Sequence, residues 1–142
     1  MPVLFQNADI AFKLQAKSAL KKFIAASFDA EAKKKLSVAY IFCSDDYLLR
    51  INQDFLKHDY YTDIITFPLS VSDAKVEAEI YISIDRVRDN ALKLKTSFDR
   101  ELLRVIFHGI LHLMGYQDKT AAQKEEMRRA EDKWIKRFES ES

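Results

Sequence analysis

Phe107-His108-Gly109-Ile110-Leu111-His112-Leu113-Met114-Gly115-Tyr116-Gln117-Asp118 is the stretch from which the rest of the chain is read. It carries two of the three histidines and both glycines of a 142-residue protein. At an average usage of about 7%, a chain this long holds roughly ten glycines, so two beside His112 meet a local backbone need. Leu102, Leu103, Val105, Ile106, Phe107, Ile110, Leu111, Leu113 and Met114 make this region apolar nearly all the way round, which predicts a buried helix. His108 and His112, four apart, project from one side of it. Gly109 leaves the first imidazole open to close approach, and Gly115 falls where a helix stops in the left-handed conformation.

Beyond that stop the chain turns through Tyr116 and Gln117 and presents Asp118. Two imidazoles and a carboxylate form a three-point claw with an open position, the ligand count of catalytic Zn²⁺. Histidines at this spacing can also be hydrogen-bonded core residues. The glycines, the apolar surround and the third donor favour the metal site. Gly109 stands where the HExxH metalloprotease helix places its glutamate base, which excludes that mechanism.

The length suits a single domain over residues 1–142 with a sizeable core. A hydrophobic content of 48% beside 32% charged residues is an ordinary globular balance. The net charge of +1 confines any nucleic-acid contact to a local patch. No apolar run reaches a membrane span, and the N-terminus lacks a signal-peptide pattern. Cys43 is the only cysteine, so there is no disulfide framework. These features together predict a cytoplasmic protein.

Pro2 to Phe5 reads as an edge strand, followed by a helix that Asn7 or Asp9 can cap, with Phe12, Ala16, Ala19, Leu20, Phe23 and Ile24 inward. Asp29 to Lys35 reads as a loop, and Leu36 to Cys43 as a buried strand. Ser44-Asp45-Asp46 can cap a helix over Asp46 to Phe55, and a loop follows to Thr62. Ile64 to Leu69 is a strand whose Pro68 marks an edge, Ser70 to Lys75 a turn, and Glu77 to Ile84 an alternating strand. Asp85 to Lys95 is helical, with Val87, Ala91 and Leu94 inward. After the histidine helix, the capping box Thr120–Gln123 starts a last helix with the stripe Met127, Ala130, Trp134, Phe138, ending in a frayed tail from Glu139. The expected fold is α+β or α/β: a small mixed sheet of about four strands covered by about five helices. The site then lies in a cleft on the buried helix and its following turn.

The run HGILHLMGYQD from His108 to Asp118 resembles the signature HGxLHLxGYDH of the bacterial YbeY endoribonucleases. Ile51 to Pro68 is similar to that family's LNxxYRxKDxPTDVLSFP, and Glu79 to Ser83 to its GDIxIS strand, in the same order and spacing. The resemblance spans about Leu36 to Phe138. It implies a single-metal hydrolase, usually zinc-dependent, that cuts single-stranded RNA. The implied roles are maturation of ribosomal RNA, chiefly the small-subunit 3′ end, and ribosome quality control. RNA and the ribosome are therefore the implied partners.

Carried over residue by residue, the first two ligands are His108 and His112. The third family ligand is a histidine, and Asp118 occupies its position. Aspartate is a normal zinc ligand, but its harder anionic oxygen also admits Mn²⁺. His58, in a loop that borders the family's cleft, is the rival third ligand. Leu56 replaces a family arginine, and Lys57 offers a cation nearby without the bidentate fork. Glu101 and Arg104, seven and four residues before His108, share roughly its helix face. Glu101 can orient an imidazole and Arg104 can offset transition-state charge, or both are helix-start charges in a surface pair. Arg86, Arg88, Lys93, Lys95 and Arg100 can track a phosphate backbone or form a solvated surface. Two other functions stay open: a ribosome-binding assembly factor with little nuclease activity, and a metal-dependent hydrolase of an ester or amide.

Overall fold

Val76, Ala78, Ile80 and Ile82 are buried and alternate with the half-buried or exposed Lys75, Glu77, Glu79 and Tyr81, so one face of a strand is written for a core. A computed structural model of the chain describes residues 2–141. Its elements are β1 (Val3–Asn7), α1 (Lys17–Ala32), β2 (Lys35–Cys43), α2 (Asp45–Leu56), β3 (Ile64–Val71), β4 (Lys75–Ser83), α3 (Ile84–Leu94), α4 (Phe98–Leu113) and α5 (Ala121–Glu141). The four strands form one sheet in the order β1-β2-β4-β3. β1 runs parallel to β2 and β2 to β4, whereas β3 is antiparallel to β4. This is the mixed α+β sheet expected from the sequence, with its elements in the expected order. Pro68, which has no N–H to give, lies on the edge strand β3, and the register shifts between it and Ser70.

Leu36, Val38, Tyr40 and Phe42 of β2 face the main core, where Leu20, Phe23, Ile24 and Phe28 of α1 meet α4 and α5. The opposite sheet face carries a smaller cluster of Cys43, Leu48 and Ile65, with Tyr47, Ile51, Phe67 and Tyr81 around it. Burial there pushes the Cys43 thiol up to about 12, aided by Asp9, Asp45 and Asp85, so it packs and does not react.

Several boundaries differ from the sequence reading. Asn7 and Asp9 do not cap α1: Asn7 donates to the Phe12 carbonyl, and Asp9 accepts from the backbone N–H and hydroxyl of Ser44. With those side chains engaged, α1 begins only at Lys17, after a left-handed Ala16. Phe12 therefore precedes the helix and packs edge-on against Phe42 and Phe98, while Ala19 is exposed. α1 continues through Ala32, into the expected loop. β3 extends to Val71, Ile84 opens α3 instead of ending β4, and Leu94 is 53% exposed. α5 stays helical to Glu141, where a frayed tail was expected, and Ser142 lies outside the described residues.

Candidate metal centre

α4 starts where Ser97 Oγ accepts from the Arg100 N–H at 3.1 Å, with Asp99 and Glu101 in the first turn facing the positive end of the helix. Leu102, Val105, Ile106, Phe107, Ile110 and Leu111 are buried along it. Each such side chain contributes ~1.5–3 kcal/mol, so the helix is firmly seated. Tyr40 of β2 adds a hydroxyl donated to the Ile106 carbonyl at 2.8 Å. Gly109 serves the sheet, not the imidazole: a Cβ there would lie 2.9 Å from Ile80 Cδ1 and 3.1 Å from Ile64 Cδ1. Its missing side chain lets α4 settle onto β3 and β4.

The helix ends in a Schellman turn. Gly115, at φ 106°, donates to the His112 carbonyl at 3.0 Å, and Tyr116 donates to that of Leu111 at 3.1 Å. The same turn brings the Tyr116 carbonyl to His112, whose Nδ1 donates to it at 2.9 Å. It also brings Asp118 back over the helix. Asp118 Oδ2 lies 3.3 Å from His108 Nε2 and 3.5 Å from His112 Nε2.

The His108 imidazole is fixed from another element. The capping box forms as expected: Thr120 Oγ1 accepts from the Gln123 N–H, and Gln123 Oε1 accepts from the Thr120 N–H, both at 3.1 Å. The stripe Met127, Ala130, Trp134 and Phe138 then packs on α4, with the rings of Trp134 and Phe107 5.5 Å apart. That docking delivers Glu131, 5% exposed, to His108, whose Nδ1 donates to Oε2 at 2.6 Å. Glu131 Oε1 in turn accepts from Arg104 Nη1 at 3.1 Å, and Arg104 Nη2 donates to Asp132 at 2.7 Å.

Both Nδ1 atoms thus face an acceptor, which favours the ring proton there in the neutral imidazole and turns each Nε2 toward Asp118. Ligand atoms of His108, His112 and Asp118 all lie within 4.8 Å of one another, a group that could hold a metal ion. The donor chemistry fits a divalent cation: two neutral imidazole nitrogens and a carboxylate oxygen, all partly buried. Burial works against a charged His108, but the hydrogen bond and field of Glu131, with Asp118 and Asp63, outweigh it and raise its pKa.

The other expected residues divide. Arg104 lines the cleft, but its guanidinium is taken up by Glu131, Asp132 and, at 3.9 Å, Glu101. Glu101 orients no imidazole, the role Glu131 has: it is buried, with Oε1 unpartnered by any hydrogen bond among the described residues. His58 lines the cleft outside the His-His-Asp group, with Nδ1 hydrogen-bonded to the Tyr60 hydroxyl at 2.9 Å. Lys57 caps α2 in a left-handed conformation and is not among the cleft-lining residues. None of Arg86, Arg88, Lys93, Lys95 and Arg100 lines it either, and Arg86 is engaged by Asp45 and Asp89. Glu131 was missed in the sequence. Its signal was a carboxylate at a core position of an apolar stripe, four after Met127 and three before Trp134.

The cleft holds about 780 Å³ and lies between β3 with its preceding loop and the facing sides of α4 and α5. Asp63 forms part of its floor. Burial raises the Asp63 carboxyl against the pull of His108, and Asn90 donates to it at 3.2 Å.

Fold and centre together define an α+β protein with a candidate metal site open to a cleft. The profile of the family described as Endoribonuclease YbeY matches residues 4–139, and the chain belongs to that family. A protein named Endoribonuclease YbeY from Cytophaga hutchinsonii is 47% identical over 130 residues, covering 92% of this chain and 91% of the relative. One of the same name from Flavobacterium psychrophilum is 42% identical over 132 residues, covering 93% and 94%. Another, from Phocaeicola vulgatus, is 52% identical over 96 residues, covering 68% and 69%. The solution structure of TM1509 from Thermotoga maritima superposes with a TM-score of 0.60 at 26% identity, covering 98% of this chain and 90% of that one.

Proposed function

We propose that this protein is a metal-dependent endoribonuclease that cuts single-stranded RNA in the maturation of ribosomal RNA, chiefly at the small-subunit 3′ end, and in ribosome quality control. Membership of the endoribonuclease family supports the RNA substrate. The observation that carries the chemistry is the convergence of His108 Nε2, His112 Nε2 and Asp118 Oδ2 with both Nδ1 atoms tied back. His108, His112 and Asp118 would hold one ion, Zn²⁺ by its nitrogen donors, with Mn²⁺ admitted by the Asp118 oxygen. When bound, such an ion supplies Lewis-acid activation of water and of a phosphoryl oxygen. Glu131 and the Tyr116 carbonyl keep the imidazoles turned inward. Lys124 and Arg128, on the α5 side of the cleft, meet the phosphates of the strand. Arg104 holds Glu131 in place.

Residues 1–142 act as one catalytic domain, supported by a single main core that runs from Val3 to Phe138. The site of action is the cytoplasm, where ribosomes are assembled. No helix among the described residues is long and apolar enough to cross a membrane.

The test is to incubate metal-loaded protein with single-stranded RNA beside His112→Ala and Asp118→Ala variants. Both variants are expected to lose at least about 100-fold in cleavage rate. Cleavage that survives both substitutions removes the metal mechanism. RNA binding without cleavage in any divalent metal leaves the ribosome-binding assembly factor.

A further inference from the structure

Large exposed apolar side chains on this protein are unevenly spread. Phe55, Leu56, Tyr60 and Tyr61 all lie exposed within one short segment, the end of α2 and the loop after it. Clustering of this kind on a surface is a mark of binding. Leu56, His58 and Tyr60 line the same cleft as the His-His-Asp group. Phe55 and Tyr61 have ring partners of their own: Phe55 meets Phe67 edge-on at 6.2 Å, and the Arg86 guanidinium lies over Tyr61 at 5.1 Å. Tyr60 is different. Its ring stacks on His58 at 5.1 Å with 20° between the planes, and it is still 56% exposed.

The pair is held in place before any ligand arrives. The buried Asn52 donates through Nδ2 to the Tyr60 carbonyl at 2.8 Å and accepts at its own carbonyl from the His58 N–H at 3.0 Å. Gln53 Nε2 donates to Asp59 at 2.6 Å, and the Tyr60 hydroxyl bonds to His58 Nδ1. A ring fixed this way loses little conformational freedom on binding. Lys124 and Arg128 line the cleft as well, beside the carboxylates Asp63, Glu101, Asp118 and Glu131, so an occupant that reaches both the ring and these two exposed cations offers an aromatic face and negative charge. Aromatic rings beside a cationic groove are the combination that holds unpaired nucleic-acid strands without regard to sequence.

We infer that Tyr60, backed by His58, is a stacking platform for one unpaired base of the strand whose phosphates run past Lys124 and Arg128. The inference rests on the RNA reading above and adds a base-binding subsite to it. Such a platform selects single strands, because a base inside a duplex has no free face to offer.

The test uses the 142-residue protein freed of metal with a chelator, so that the probe is not consumed, and a single-stranded RNA octamer carrying 2-aminopurine. Wild type is expected to bind and to quench the fluorophore by stacking. Tyr60→Ala should bind roughly 5- to 150-fold more weakly and lose the quenching. Tyr60→Phe, which keeps the ring but loses the hydroxyl bond to His58, should keep the quenching and bind closer to wild type than Tyr60→Ala does. If Tyr60→Ala binds and quenches like a wild type that also cleaves RNA, the platform is refuted and the nuclease reading stands. If wild type neither binds nor cleaves RNA, both fall together.

Discussion

Glu131 decides what His108 can do. Its Oε2 fixes the imidazole tautomer while Oε1 is held by Arg104, so the carboxylate cannot swing away. Carboxylates that anchor metal-binding histidines typically account for 10–100-fold in affinity. Glu131→Gln is accordingly expected to weaken zinc binding by about that factor in a competitive chelator titration, with an unchanged circular dichroism spectrum. Glu101 poses the opposite case, a buried carboxylate whose Oε1 has no hydrogen bond among the described residues. Burial raises its pKa from the ordinary 4.5, Arg104 and Arg128 pull it down, and Asp63 and Glu131 push it further up. The folded state therefore holds this proton more tightly than the unfolded chain. Stability is lost as pH rises from the unfolded value through the raised folded one. Glu101→Gln should match wild type near pH ~4 and exceed it by about 1 kcal/mol near pH ~7 in urea unfolding. A variant less stable than wild type at neutral pH would mean that the ion pair with Arg104 outweighs the burial.

Among the elements, α4 carries most of the design, and Gly109 sets how closely it can lie on the sheet. Gly109→Ala gains up to ~1 kcal/mol of helix propensity but overpacks Ile80 and Ile64 at a cost of ~1–3 kcal/mol. A net loss of about 1 kcal/mol is expected from thermal or urea unfolding, and a net gain would show that α4 rides higher than described. Elements built on strong periodicity were legible in the sequence: the alternation of β4, the all-round apolar α4, and the capping box of α5. Boundaries set by distant partners were not. Asp9 looks like a cap for the helix just after it, yet it spends its carboxylate on Ser44, far along the chain. Nothing local to residues 7–17 announces that α1 starts late.

On the scale of the whole molecule, the centre is assembled by docking two helices and one turn. Spacing within one helix made His108 and His112 legible, and the Gly115 stop made Asp118 legible. Glu131 was not, because its role exists only once α5 lies against α4 and brings it across 23 residues to His108. For the same reason the sequence pointed to Glu101, which shares the helix with the histidines but faces a different neighbour. An ion bound only by the folded chain stabilises it, so loading also couples the centre to global stability. The most direct measurement is metal uptake by equilibrium dialysis against zinc, for wild type beside His112→Ala and Asp118→Ala. The account predicts about one ion per wild-type chain and near-complete loss in both variants. Uptake that is absent in wild type, or unchanged by both substitutions, would contradict it.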